Sequence, residues 1–102
     1  LVDAAHILPV GAEGSTDEIQ NGLALSPTFH RAFDNGLVFL DEKCVMRINP
    51  AKELQLVMLR LDGGLSDFKS LLDKRIHLPP DRRQWPQRAL IRMANNFRRI
   101  PV

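Results

Sequence analysis

The chain has 102 residues, 44% of them hydrophobic and 25% charged, a size and composition that suit one domain and exclude wholesale disorder. It contains no apolar run long enough to cross a membrane and no recognisable signal peptide. The single cysteine, Cys44, excludes an internal disulfide and a cysteine-rich zinc site, and it favours the cytoplasm as the compartment. Because the chain lacks an initiator Met and begins at Leu1 within an apolar segment, we expect a fragment or a processed piece of a longer protein.

The net charge is only +2, but its distribution is uneven. From residue 74 onward there are eight basic residues and one acid, whereas the first 42 residues hold seven acids and one basic residue. Such a division suits a site in which carboxylates hold a metal and arginines hold phosphates. A solvated basic helix face explains the charges equally well.

The first third of the chain predicts a hairpin followed by a short helix. Residues 2–8 form a short apolar strand, and residues 10–20 are rich in glycine, serine and acids, as in a loop. An Asn-Gly turn at 21–22 leads into a second strand at 23–25. The Ser-Pro pair at 26–27 then starts a helix that ends before Gly36.

The next segments predict a second hairpin and two helices. Strands are expected at 37–40 and 44–48, and Asn49-Pro50 precedes a segment, 51–61, that favours a helix over a strand. We expect a short helix over 66–73, capped by Ser66, and an extended corner at Leu78-Pro79-Pro80.

The clearest helix begins at Pro86 and carries one apolar stripe. The stripe is expected to contain Ala89, Leu90, Met93, Ala94 and Phe97, with Arg88, Arg92 and Asn95 on the opposite face. The predicted class is α+β, arranged as one domain over residues 1–102 with a motif core at 3–40 and a helical tail at 50–102.

Two histidines and an acid could perform chemistry. His30 and Asp34 are four positions apart, so on a helix they share one face and can converge on a divalent ion. A surface hydrogen bond between them is the alternative. His6 ends a strand, either as a core histidine with a satisfied hydrogen bond or as a base aimed at a substrate. Together with Asn21, this order of residues suits a one-metal phosphodiesterase, in which Asn21 orients the long loop.

The runs AAHILP, residues 4–9, and NGLALSPTFHRAFDNGL, residues 21–37, resemble the HNH nuclease superfamily, whose fold is called ββα-metal. The nearest branch is that of restriction-endonuclease-like HNH proteins, with the pattern AHI-P, NGL-L and H--FD-G. The Leu-Pro element at 78–79 and the helix that opens near Pro86 also resemble this branch. The strong motif covers a little over a third of the chain.

The resemblance implies metal-dependent hydrolysis of DNA phosphodiester bonds. It makes His6 the general base, Asn21 the central asparagine that holds the loop, and His30 and Asp34 metal ligands. Many HNH nucleases place a ligand directly before the base, where this chain has Ala5, and Asp3 is the candidate substitute. Asp3 lies three residues before His6, so an ideal strand would turn it to the opposite face.

The expected cofactor is Mg²⁺, with Mn²⁺, Ni²⁺ or Zn²⁺ as alternatives, and the expected partner is DNA, with no membrane. A separate segment would choose the DNA site, and a homodimer would suit cleavage of both strands. Two rival functions are an inactive DNA-binding module and a structural or protein-interaction domain, and RNA remains open as a substrate.

His77 is expected to be a structural or surface residue and Trp85 a packing anchor. Candidate contacts to nucleic acid are Arg31, Arg75, Arg82, Arg83, Arg88 and Arg92.

Overall fold

The computed structural model describes residues 3–9, 12, 21–61 and 63–101. Strands β1 (Asp3–His6) and β2 (Gly22–Leu25) pair antiparallel, as expected of the first hairpin. The register sets Asp3 opposite Leu25 and His6 opposite Gly22. Apart from Ala12, the loop expected at 10–20 lies outside the described residues, as does Val2 of the expected first strand.

Helix α1 (Pro27–Asp34) begins and ends at the predicted signals. The Ser26 hydroxyl accepts a hydrogen bond from the Phe29 N–H at 3.4 Å, and Pro27 occupies the first helical turn, where its missing N–H costs nothing. Past the helix end, Gly36 adopts the left-handed φ of 75° that ends many helices. The prediction of this helix is confirmed.

The second hairpin is part of a three-stranded antiparallel sheet. Strands β3 (Val38–Leu40) and β4 (Val45–Ile48) pair as predicted, although β4 begins one residue late because Cys44 has a left-handed φ of 62°. A third strand, β5 (Lys74–Arg75), pairs with β4 and was not predicted. With two residues, it is too short for a periodicity signal.

Two helices follow the second hairpin. Helix α2 (Pro50–Met58) is capped by Asn49, whose Oδ1 accepts the Ala51 N–H at 3.1 Å, as predicted. A short helix α3 is present where one was expected over 66–73, but its bounds and cap differ from the prediction: the helix spans Leu65–Lys69, and Gly64, not Ser66, occupies the cap position. It ends early because the Asp73 N–H already pairs with the Met46 carbonyl, which draws the chain into the sheet.

Helix α4 (Arg88–Phe97) begins two residues after Pro86 and buries a different face from the predicted one. Its buried residues are Leu90, Ile91, Ala94 and Asn95, whereas Met93 and Phe97 are 41% and 58% exposed. The observed stripe has the predicted spacing but is rotated by one residue, about 100° around the helix. The reason is that Asn95 is buried, where it donates a hydrogen bond. A prediction that counts only apolar positions places this polar residue on the solvent side.

The core lies between the first hairpin, α1, β3 and α4. Its most fully buried side chains are Ile7, Leu8, Phe33, Val38, Leu40, Ile91 and Asn21. None of the helices in the described part of the chain combines the length and apolarity needed to span a bilayer. The observed elements are those of an α+β fold in which a ββα unit is held by a C-terminal helix.

Asn95 fastens α4 to the second hairpin. Its Nδ2 donates to the Leu40 carbonyl at 3.0 Å in a buried setting. We expect Asn95→Ala to lower the free energy of unfolding by about 1–3 kcal/mol, because it leaves the Leu40 carbonyl buried and unpaired. Chemical denaturation measures the loss. The adjacent variant Asn96→Ala, at an exposed position of the same helix, is the control and should cost far less. Equal losses would contradict this role.

Asp41 organises the turn between β3 and β4. Its Oδ1 accepts from the N–H groups of Lys43 and Val45 at 2.9 and 3.0 Å, and its Oδ2 accepts from Arg47 Nε at 2.6 Å. Burial alone would raise the pKa of Asp41, but these bonds outweigh it and hold the pKa below the usual 3.8.

A lowered folded-state pKa contributes stability that is present above pH 3.8 and is lost as the pH falls through the folded value. Asp41→Ala should therefore destabilise the protein at neutral pH, and the difference in Tm from wild type should shrink below pH 3.8. Thermal melts across pH measure this, with the exposed Asp67→Ala as control. A difference that stayed constant down to low pH would refute the assignment.

Candidate active site

His30 lies between two carboxylates. Its Nδ1 is 3.1 Å from Oδ2 of Asp3, and its Nε2 is 3.1 Å from Oδ2 of Asp34. The Asp34 contact follows from the four-residue spacing along α1. The contact with Asp3 joins helix to strand, so three of the predicted site residues form one chain of contacts.

The short link between β2 and α1 explains how Asp3 reaches His30. Asp3 pairs with Leu25, the last residue of β2, and only Ser26 separates β2 from α1. Strand alternation puts Asp3 on the same face as Ala5, the position at which many HNH nucleases carry a ligand. The same alternation separates Asp3 from His6.

The chemistry of this donor set fits a divalent cation. Two carboxylates and one imidazole are ligands that such ions accept, and the two acids bring negative charge to one ring. The side chains are nevertheless arranged as a chain of ion-pair contacts: within the described residues, no three His, Cys, Asp or Glu side chains surround a common centre. A neutral imidazole has only one N–H, so it can donate to only one of the two carboxylates.

His6 lies at the other end of β1 and lines a cleft. The cleft has a volume of about 880 Å³ and runs between the first hairpin and residues 76–80, with Asp3 also in its wall. Three residues of strand separate the Cα atoms of Asp3 and His6 by about 10 Å. The cleft therefore touches both the predicted base and one predicted ligand, whereas His30 and Asp34 are reached through Asp3.

Asn21 holds the chain directly after His6. Its side chain is fully buried, its Oδ1 accepts the Leu8 N–H at 2.8 Å, and its Nδ2 donates to the Leu8 carbonyl at 3.2 Å. The Asn21 backbone carbonyl also accepts the Ile7 N–H at 2.8 Å. These bonds fix the backbone next to His6, which is the geometry expected of an asparagine that orients the loop.

Arg98, at the C-terminal end of α4, also contacts the backbone next to His6. Its Nη1 donates to the Ile7 carbonyl at 2.6 Å, its Cζ lies 4.3 Å from the centre of the Phe33 ring, and its Nη2 is 3.9 Å from Oδ1 of Asp34. The side chain is only 6% exposed. Burial lowers the pKa of Arg98, and the charge of Asp34 opposes this shift. Among the described residues, Nε and Nη2 have no hydrogen-bond partner.

Sequence reasoning did not select Arg98 as a site residue. The available signal was its spacing, because Arg98 follows the buried Ala94 and Asn95 by four and three positions, on the same face of the helix. His77, expected to be structural or at the surface, is exposed and lines the same cleft as His6.

The arginines proposed to contact nucleic acid fall into two groups. Arg83 and Arg92 are ion-paired, with Asp81 at 3.0 Å and with Glu42 at 2.7 Å. The others are exposed and are not in such pairs among the described contacts: Arg31 lies on α1, Arg75 and Arg82 lie over the Trp85 ring, and Arg88 lines a second cavity.

The chain is similar to known nucleases in part of its sequence and in its fold. Residues 1–41 match the family model described as HNH endonuclease. A search of curated proteins found no match. Among solved structures, the chain resembles a modification-dependent TagI restriction endonuclease with a TM-score of 0.65 and 20% sequence identity.

This likeness covers 99% of the chain but only 28% of the TagI chain, so the protein corresponds to about a quarter of that enzyme's length. At 20% identity, this likeness is evidence for the fold alone. The family match lies on the hairpin and helix that carry His6, Asn21, His30 and Asp34. Residues 1–41 thus match the HNH endonuclease family model, and nearly the whole chain shares the fold of the TagI restriction endonuclease.

Proposed function

We propose that this chain is the catalytic domain of a metal-dependent endonuclease that hydrolyses DNA phosphodiester bonds with one metal ion. The observation that carries the proposal is the cleft, because His6 and Asp3 both line it and Asp3 contacts His30. The proposed base and one proposed ligand thus lie on the same strand and line the same cleft, and Asp3 connects the cleft to His30 and Asp34.

In this proposal His6 is the general base. A neutral imidazole in the cleft can accept a proton from the water that attacks the phosphorus atom. The backbone after His6 is held by Asn21 and Arg98, which fixes the point on the chain from which the ring extends. Asn21 is therefore a positioning residue, as is Arg98.

Asp3, His30 and Asp34 are the proposed metal ligands, and Asp3 takes the role that the residue before the base has in many HNH nucleases. A bound divalent ion, with Mg²⁺ as the first candidate, would supply positive charge at the phosphate and the leaving oxygen. Arg98 also keeps one positive charge 3.9 Å from Oδ1 of Asp34.

We infer that the partners of this domain are DNA and a further segment that recognises the site. This inference rests on the resemblance to an enzyme named as modification-dependent, of which the chain covers only part. A homodimer would allow one metal site per chain to cut both strands. RNA is the alternative substrate, and parallel assays on RNA and DNA of the same sequence distinguish the two.

An inactive DNA-binding module is the second candidate, favoured by the ion-paired arrangement around His30. Plasmid nicking with Mg²⁺, compared with the same reaction in EDTA, separates the candidates. Nicking that requires the metal supports the nuclease, and salt-dependent DNA binding without nicking supports the module. Absence of both metal and DNA binding would favour an interaction domain.

His6→Ala should lower the cleavage rate by a factor of about 10²–10⁴, the usual contribution of a general base. Plasmid nicking measures the rate, and circular dichroism together with calorimetric titration of Mn²⁺ should show unchanged folding and metal binding. The control is His77→Ala, which removes another histidine from the same cleft and should retain cleavage. Cleavage by His6→Ala at the wild-type rate would refute the assignment.

Asp3→Asn and Asp34→Asn should each weaken divalent-ion binding by at least about tenfold, because each removes an anionic donor from the cluster at His30. Calorimetry with Mg²⁺ or Mn²⁺ measures the affinity, and the rise in Tm with metal should fall in parallel. Asp67→Asn, an exposed acid on α3, is the control. Unchanged affinity in either variant removes that residue from the ligand set.

A further inference from the structure

A second cavity lies next to the cleft of the proposed active site. It has a volume of about 430 Å³ and is lined by the basic residues Lys43, Arg75 and Arg88, by the aromatic ring of Trp85 and by Glu42. Pro86 is in the wall of both the cleft and this cavity. A strand that passes through the cleft can therefore continue over Pro86 into the cavity.

The cavity is electropositive. Three cationic side chains line it against one carboxylate, that of Glu42. The Glu42 carboxylate accepts a 2.7 Å bond from Arg92, which is not in the described wall of the cavity. Arg92 thus already neutralises Glu42 from outside the cavity. The remaining charge of the wall is positive and favours binding of an anion.

Trp85 makes part of this wall rigid. Its indole N–H donates to the Pro79 carbonyl at 2.7 Å, which fixes the ring. The guanidinium carbons of Arg75 and Arg82 lie 4.9 and 5.4 Å from the ring centre. An arginine held by its planar face against an aromatic ring keeps its N–H groups at the edge, where they can donate to phosphate oxygens.

We propose that this cavity binds a backbone phosphate of the same nucleic-acid strand whose scissile phosphate lies beside His6. Arg75 and Arg88 are the contacts, and Trp85 is the platform that holds Arg75 in position. The inference rests on the proposed function for the identity of the strand. It assigns phosphate contacts to the cavity residues Arg75 and Arg88 and not to Arg83 and Arg92, which are already ion-paired.

Trp85 is the single tryptophan of the chain, so its fluorescence reports on the cavity directly. The test is a titration of the 102-residue chain with a short labelled duplex in EDTA, which stops metal-dependent cleavage. Anisotropy of the label measures binding, and tryptophan emission reports occupation of the cavity. Affinity is measured at several salt concentrations, for DNA and for RNA of the same sequence.

Arg75→Gln combined with Arg88→Gln should reduce the slope of log affinity against log salt by about one, because the slope counts the phosphates that the protein neutralises and the cavity is proposed to hold one. The same variant should lose the change in Trp85 emission. Each single variant removes one of the two contacts to that phosphate and should give a smaller reduction of the slope, which also tests the proposal if the double variant fails to fold. The control is Arg83→Gln, which removes an ion-paired arginine and should leave both the slope and the emission change as in wild type.

Two results would overturn the proposal: duplex binding that leaves Trp85 emission unchanged, or equal slopes in wild type and the double variant. A loss of slope on DNA or RNA supports the phosphate contact. Nicking by the wild-type chain with Mg²⁺ tests the proposed function separately. If the slope falls but no nicking occurs, the cavity is supported and the nuclease is not. If nicking occurs with equal slopes, the nuclease is supported and the cavity is not.

Discussion

The arrangement of the site depends on the buried guanidinium of Arg98. A charge removed from water is costly unless its surroundings compensate for it. Here the Ile7 carbonyl, the Phe33 ring and the Asp34 carboxylate do so in part, since Nε and Nη2 have no hydrogen-bond partner among the described residues. These three groups belong to the end of the first strand and to α1, whereas Arg98 belongs to the tail. Arg98 thus connects α4, which lies outside the residues matched by the HNH family model, to both the first hairpin and α1.

The two ends of β1 lie in different chemical environments. Asp3 at its start belongs to an acidic cluster with His30 and Asp34, and His6 at its end faces an open cleft. Asn21 fixes the backbone at the His6 end with hydrogen bonds to Ile7 and Leu8. The proposed base and the charged cluster can therefore be held at a constant separation by the four residues of β1.

Local signals in the sequence were sufficient for much of the ββα unit. The caps at Ser26 and Asn49 and the glycine at position 36 act through neighbouring backbone groups, so their effect is visible in the sequence itself. The rotated face of α4 and the strand β5 depend on distant partners, namely the Leu40 carbonyl and the edge of β4. The contact between Asp3 and His30 likewise requires strand register. Polar residues that are buried to satisfy a remote group cannot be found by counting apolar positions.

The link between the first hairpin and α1 consists of Ser26 alone. One inserted residue in that link would add about 3.5 Å of extended chain between β2 and α1, which would carry His30 and Asp34 away from Asp3. Substitutions at position 26 affect a helix cap, but an insertion or deletion there would disassemble the cluster. Homologous chains that keep Asp3 as a substitute for an acid at position 5 should therefore keep the length of this junction, even where its residue changes.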